Sequence, residues 1–263
     1  MQYDFKAQHF KTSATVLLAS VSIFSATVAQ ADEAYAKATL DKMSSYLGAQ
    51  TAVSFDYQAT LDIVTTDEQK LSIASSGTVE LERPDKLHAT RTGGFAAIEI
   101  GFDGQTLTAL NVDEAVYGQA QVPGTVANLI DTLREKFNRP LPAADILTED
   151  FSALLKPMLT DTKDLGAGVI NGTVCDHFAF RTEHVDMQIW IATGDTPFPC
   201  RYTITNKQIT GWPDYQFDVS NWQTGTAVMF GSLAVPDGAT VVAFDAIPDL
   251  DDLAGIYSPE GTK

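Results

Sequence analysis

A mainly β domain with a helical lid, in which a curved antiparallel half-barrel sheet lies under short helices, is the fold class that three features of this chain predict. Runs of alternating apolar and polar residues recur over most of its length. Gly-Gly and Asp-Gly dipeptides separate several of them, and two stretches of helical periodicity interrupt them midway. No long helix stands between successive strands, so a parallel sheet built on crossover helices is not expected.

The chain opens on an export signal. Lys6, His9 and Lys11 precede an apolar run from Ala14 to Ala26, and Val28-Ala29-Gln30-Ala31 puts small side chains at the positions a signal peptidase reads. Residues 1–31 are therefore expected to leave, with cleavage after Ala31. The run is too short to span about 30 Å of hydrocarbon, so no transmembrane segment is expected in the mature chain. Asp32 and Glu33 then lead a short amphipathic helix through Ala34, Ala38, Met43, Tyr46 and Leu47 to Gly48.

From Phe55 the period changes to two. Phe55, Tyr57, Ala59, Leu61 and Ile63 alternate with polar residues, which predicts a half-buried strand. Leu71, Ile73, Val79 and Leu81 mark the next, and further strands are expected at Leu87 to Thr92, Phe95 to Asp103, Thr106 to Val112 and Val116 to Ala120. Then Val126, Leu129, Ile130, Leu133 and Phe137 fall three and four apart, the apolar side of a helix over 125–137. Pro140-Leu141-Pro142 is a stiff connector to a second helical piece over 151–159. Strands resume near Gly168 and continue as Val174 to Arg181, Asp186 to Ala192, Cys200 to Thr205 and Tyr215 to Trp222. A last hairpin, Met229 to Val235 with Thr240 to Phe244, is expected around Pro236-Asp237-Gly238. This makes one domain over 32–245, followed by an acidic tail over 246–263.

Composition excludes several functions. The formal charge is −17 and becomes more negative when the leader departs, so there is no basic footprint for nucleic acid. Cys175 and Cys200 are the only cysteines, and export places them where thiols oxidise. They fall near the same end of one meander but two strands apart, at the edge of a bridge's reach, so a disulfide and two buried thiols both stay open. In Cys175-Asp176-His177, strand alternation puts Asp176 on the face opposite His177, where it cannot orient the imidazole, which argues against a catalytic triad. His88, His177 and His184 lack ligand-pair spacing and the Asp-rich tail lacks a calcium-loop pattern, so neither a metal nor a cofactor is expected. Trp190 alternates to the outer face or lies beneath the first helix. Arg83 reads as a surface ion-pair residue.

A strongly curved sheet has one concave apolar face, and the inserted helices are available to cover it. The candidate lining is Phe55, Tyr57, Leu61 and Ile63 from one strand, Leu71, Ile73, Val79 and Leu81 from the next, and Met187, Ile189 and Ile191 later. Val126, Leu129, Ile130 and Leu133 face them from the helix. A one-residue slip would turn any strand's set outward.

Three segments in order carry a resemblance: Arg83-Pro84-Asp85-Lys86-Leu87, then Phe102-Asp103-Gly104-Gln105-Thr106-Leu107-Thr108, then Gln188-Ile189-Trp190-Ile191 with Gly194, Pro197, Pro199 and Arg201. Together they resemble a family of predicted periplasmic proteins, which in turn resemble the LolA-like lipoprotein carriers. The resemblance implies a periplasmic, non-enzymatic half-barrel holding a lipid, an acyl chain or another apolar small molecule under a helical lid. The alternative it leaves is an envelope sensor module that takes a protein or peptide in the same groove.

Overall fold

The computed structural model describes residues 25–137 and 144–250. The Pro140-Leu141-Pro142 connector, most of the export signal and the tail beyond Leu250 lie outside these residues. The first element is helix α1, Ser25–Gly48, which begins upstream of the expected cleavage point. It buries Ala36, Leu40, Met43 and Leu47, while Ala34 and Ala38, expected on the apolar face, are exposed.

Strands β1 (Ala52–Val64), β2 (Lys70–Glu82), β3 (Lys86–Gly93), β4 (Ala97–Phe102), β5 (Thr106–Asn111) and β6 (Val116–Gln121) form an antiparallel meander. Helices α2 (Val126–Glu135) and α3 (Phe151–Leu155) follow. A second meander comprises β7 (Asp161–Ile170), β8 (Thr173–Arg181), β9 (Val185–Ala192), β10 (Pro199–Asn206) and β11 (Asp214–Thr224). The short β12 is Thr240–Val242. All join one 12-stranded sheet in the order β12-β6-β5-β4-β3-β2-β1-β11-β10-β9-β8-β7. Pairing of β1 with β11 welds the two meanders. Every pairing except that of β12 is antiparallel.

Two details of the fold depart from expectation. β7 starts at Asp161, well before Gly168. As a polar, glycine-containing edge strand with a bulge between Asp164 and Ala167, it has no apolar alternation to announce it. The hairpin expected at 229–244 does not form. Residues 229–235 instead cross the outer face of β3 to β6, where Leu233 packs on Gly101 and the Gly231 amide donates to a Glu80 carboxylate oxygen. Having crossed over, the chain returns to the edge in the same direction as β6, so β12 pairs with β6 in parallel.

The register places the apolar set on one face. Val53 opposes Leu81, Phe55 opposes Val79, Leu61 opposes Ile73 and Ile63 opposes Leu71. Beyond them, Leu81 opposes Leu87, and Phe102 stands between Leu87 and Leu107. On the other wing, Phe178 and Tyr202 both oppose Ile189, and Phe180 and Ile204 both oppose Met187. Helix α2 lays Val126, Leu129, Ile130 and Leu133 into this face, and its first turn is capped by the Thr125 hydroxyl accepting from the Asn128 amide at 3.2 Å.

Candidate functional site

The concave face divides into two halves. At the end where β1 begins and β2 ends, α1, α2 and α3 cover it completely. Leu40, Met43 and Leu129 are fully buried there with Phe178, Ile189 and Ile191, in one cluster that also takes in Phe55, Leu81, Val126, Ile130, Leu133 and Met187. Of these, Phe55, Leu81, Val126, Leu129, Ile130, Leu133, Met187, Ile189 and Ile191 are predicted lining residues, and they form packed core. Besides the mid-chain helices expected as cover, α1 buries Ala36, Leu40, Met43 and Leu47 in the same hollow.

Arg83 fastens this cover. Instead of an exposed ion pair it makes a half-buried clasp, with Nε donating to the Gln50 carbonyl at 3.1 Å and Nη2 to the Leu147 carbonyl at 2.5 Å and the Leu47 carbonyl at 3.4 Å. A cation at the C-terminus of α1 also meets the negative end of its dipole. Burial lowers the guanidinium's pKa, and Glu149 opposes the shift. The neighbouring Pro84 carbonyl accepts from the Val126 amide at 2.9 Å, so a single turn positions α1, α2 and the segment at Leu147.

The opposite end is where the candidate site lies. Leu61, Ile63, Leu71, Ile73, Ile204 and Tyr215 are only half-buried there, and Phe95 beside them is 45% exposed. The floor between the halves is aromatic. Tyr57 stacks on Phe217 at 4.6 Å between ring centroids, Phe217 stacks on Tyr202 at 5.1 Å, and Phe55 stacks on Trp222 at 5.5 Å. A bulge at Asn221 turns Trp222 inward, where its Nε1 donates to the Tyr46 hydroxyl at 3.3 Å. Tyr202 is fully buried, which pushes its phenol well above the usual value and keeps it neutral. The Tyr57 hydroxyl donates to the Thr90 carbonyl at 3.0 Å, in a gap that only Gly77 can leave.

One wall of this open end comes from a segment expected to lie largely in the acidic tail. After β12 the chain turns onto the concave face, and Phe244, Ile247 and Leu250 are buried against it. Phe137 packs on Phe244 at 5.1 Å. Gly118 makes this approach possible, since a Cβ there would lie 2.8 Å from the Phe244 Cα. Arg91 Nη1 donates to the Leu250 carbonyl at 2.9 Å and Nη2 to the Asp249 carbonyl at 2.8 Å, and Asn111 Nδ2 donates to the Pro248 carbonyl at 3.1 Å. Spacing of Phe244, Ile247 and Leu250 by threes was the available signal, masked by the aspartates among them.

On the outer face, Cys175 and Cys200 form a disulfide with their Cα atoms 6.9 Å apart. Cys200 is the extra residue of a bulge between Pro199 and Arg201, and the strand crossed, β9, presents small Ala192 opposite Cys175. His177 stacks on Trp190 at 3.9 Å, which places Trp190 on the outer face away from α1, and burial lowers the pKa of the imidazole. Asp176 points the other way and accepts from the Tyr35 hydroxyl at 2.9 Å. Among the described residues, no group of three or more His, Cys, Asp or Glu side chains could hold a metal ion. A cleft of about 340 Å³ also lies between the outer face and the crossing segment, lined in part by His88, Thr108, Phe230 and Leu233.

This architecture defines a class: half-barrel proteins whose apolar concavity is filled by helices at one end and left partly open at the other. The chain belongs to the DUF2092 family, described as predicted periplasmic proteins, whose family model matches residues 36–245. None of the curated proteins matches it. Among solved structures it is similar to the lipoprotein LppX of Mycobacterium tuberculosis, with 14% identity and a TM-score of 0.46 over 72% of this chain and 96% of that one. It is also similar to the MucA/MucB complex of Pseudomonas aeruginosa, with 14% identity and a TM-score of 0.42 over 74% of this chain and 59% of that one. For a LolA superfamily protein of Nitrosomonas europaea, identity is 8% and the TM-score 0.33, over 72% of this chain and 92% of that one. No helix among the described residues is long and apolar enough to cross a membrane.

Proposed function

We propose that this periplasmic protein is a non-enzymatic binding protein that holds an apolar ligand, a lipid or acyl chain, against the open end of its concave face. The observation that carries this reading is the half-buried patch of Leu61, Ile63, Leu71, Ile73, Ile204 and Tyr215, continuous with the aromatic floor. A protein with no partner for such a surface gains by covering it, at about 25 cal/mol per Å² removed from water. Here the helices stop short of it.

Native mass spectrometry on protein purified from its own envelope fraction, with titration of a fluorescent fatty-acid probe, tests the reading. A co-purified lipid and saturable probe binding are expected, and Ile73→Asp should weaken the probe by about tenfold or more while leaving the circular dichroism of the sheet unchanged. A co-purified polypeptide in place of lipid would favour the sensor alternative, and failure to bind either would overturn the proposal.

A further inference from the structure

We infer that the ligand is a neutral acyl ester lipid, and that the Tyr202 hydroxyl donates to its ester carbonyl where the sealed and open halves of the concave face meet. This rests on the apolar-ligand reading above and names the class of ligand.

Tyr57, Phe217 and Tyr202 form one continuous stack across the floor. The polar tips around Tyr202 are used within the protein: the Tyr57 hydroxyl donates to the Thr90 carbonyl, and Trp222 Nε1 donates to the Tyr46 hydroxyl. Tyr202 differs. It is 5% exposed, and its hydroxyl has no hydrogen-bond partner among the described residues, only the neighbouring Tyr57 and Tyr215 phenols acting on it through space. A phenol held in this way loses water without regaining a bond, and a phenylalanine would fill the same stack without that cost.

The hydroxyl is nevertheless within reach of a ligand. Among the described residues that are not exposed, Thr162 Oγ1 is the only side-chain nitrogen or oxygen both sealed from solvent and unpartnered, so the Tyr202 oxygen, which also lacks a partner, keeps an opening. Its surroundings show on which side. Ile189 and Phe217, which oppose Tyr202 on β9 and β11, are buried, as is Phe178 beyond Ile189. Ile204, two residues along β10, and Tyr215, whose ring centroid lies 6.4 Å from that of Tyr202, are half-buried. The opening therefore faces the half-buried patch.

A neutral donor in apolar surroundings discriminates among acceptors by charge. A carboxylate brought to it would give up strong hydration for one uncharged partner, whereas an ester carbonyl has little hydration to lose and is satisfied by one donor. Arg91 borders the same end, but it already donates to the Asp249 and Leu250 carbonyls, and the formal charge of −17 supplies no field that favours an anion. Ile204, Tyr215, Leu61 and Ile73 form one cross-strand row beside Tyr202. With the carbonyl at Tyr202, the acyl chain lies along that row.

The test uses the mature chain and fluorescent probes of matched length: a fatty-acid methyl ester, the ionised free acid, and the hydrocarbon without a carbonyl. The ester is expected to bind about fivefold more tightly than the hydrocarbon, the effect of one neutral hydrogen bond, and more tightly than the acid. Tyr202→Phe should bring the ester to the hydrocarbon's affinity and leave the hydrocarbon's unchanged. The same variant should unfold at a denaturant midpoint no lower than the parent's, because the hydroxyl removed has no protein partner. In infrared difference spectra of an isotope-labelled ester, the carbonyl band should move to lower wavenumber on binding to the parent, a readout that stands even if Tyr202→Phe does not fold. Equal binding of ester and hydrocarbon, tighter binding of the acid, an equal loss for ester and hydrocarbon in Tyr202→Phe, or an unshifted carbonyl band overturns this inference and leaves the apolar-ligand reading standing. Absence of binding by every probe overturns both.

Discussion

Gly77 shows how a single residue shapes the floor of the site. A Cβ there would lie 1.8 Å from the Thr90 carbonyl oxygen, which is turned toward the Tyr57 hydroxyl, while the Thr78 amide takes the Thr90 hydroxyl at 3.0 Å instead. Gly77→Ala should cost about 3 kcal/mol in denaturant unfolding, as an overpacked core does, and Tyr57→Phe about 1 kcal/mol. On the outer face, two hydrogen bonds from Arg181, with Lys207 close by, hold the Asp186 carboxyl down to about 2. A depressed carboxylate contributes stability that is complete above its unfolded value and lost as pH falls through the folded one. Stability should therefore decline between about pH 4 and pH 2, and Arg181→Gln should flatten that limb of an acid titration followed by circular dichroism. Neither residue was legible in the sequence. Gly77 stands in a run of small residues, and the Arg181 to Asp186 contact closes only once β8 and β9 pair.

The elements divide by how they bury themselves. β1 and β2 were readable because each has one apolar face, and so was α2, whose Val126, Leu129, Ile130 and Leu133 all pack inward as their spacing required. Leu129→Ala should cost about 2–5 kcal/mol as a core truncation, and Thr125→Ala about 1 kcal/mol as a lost cap. β7 escaped notice because an edge strand has little to bury. The disulfide depended on a bulge, which no alternation pattern reveals. It closes a separation of 25 residues, for which the chain-entropy relation gives about 3.5 kcal/mol. The Cys175→Ala, Cys200→Ala double variant should lower the denaturation midpoint accordingly, and dithiothreitol should do the same to the parent but not to the variant.

At the scale of the whole molecule, the half-barrel and its helical cover followed from the order of apolar patterns along the chain, but the division of the concave face did not. Which of Phe55 and Leu61 is sealed and which is left half-open depends on how far the helical cover reaches along the hollow, a tertiary fact absent from the period of β1 itself. The same holds at the far edge. The crossing segment lies outside, β12 seals the rim and residues 244–250 lie inside, so residues 229–250 grip the border formed by β3 to β6 from both sides. These residues come after every other strand in the order of synthesis. During export the sheet can assemble, but its rim stays unpaired and the open end of its inner surface lacks its wall until they have crossed the membrane. A chain stalled before Thr240 would offer β6 as an open template to any neighbouring strand, and quality control in the envelope would meet it as a sticky, unfinished object.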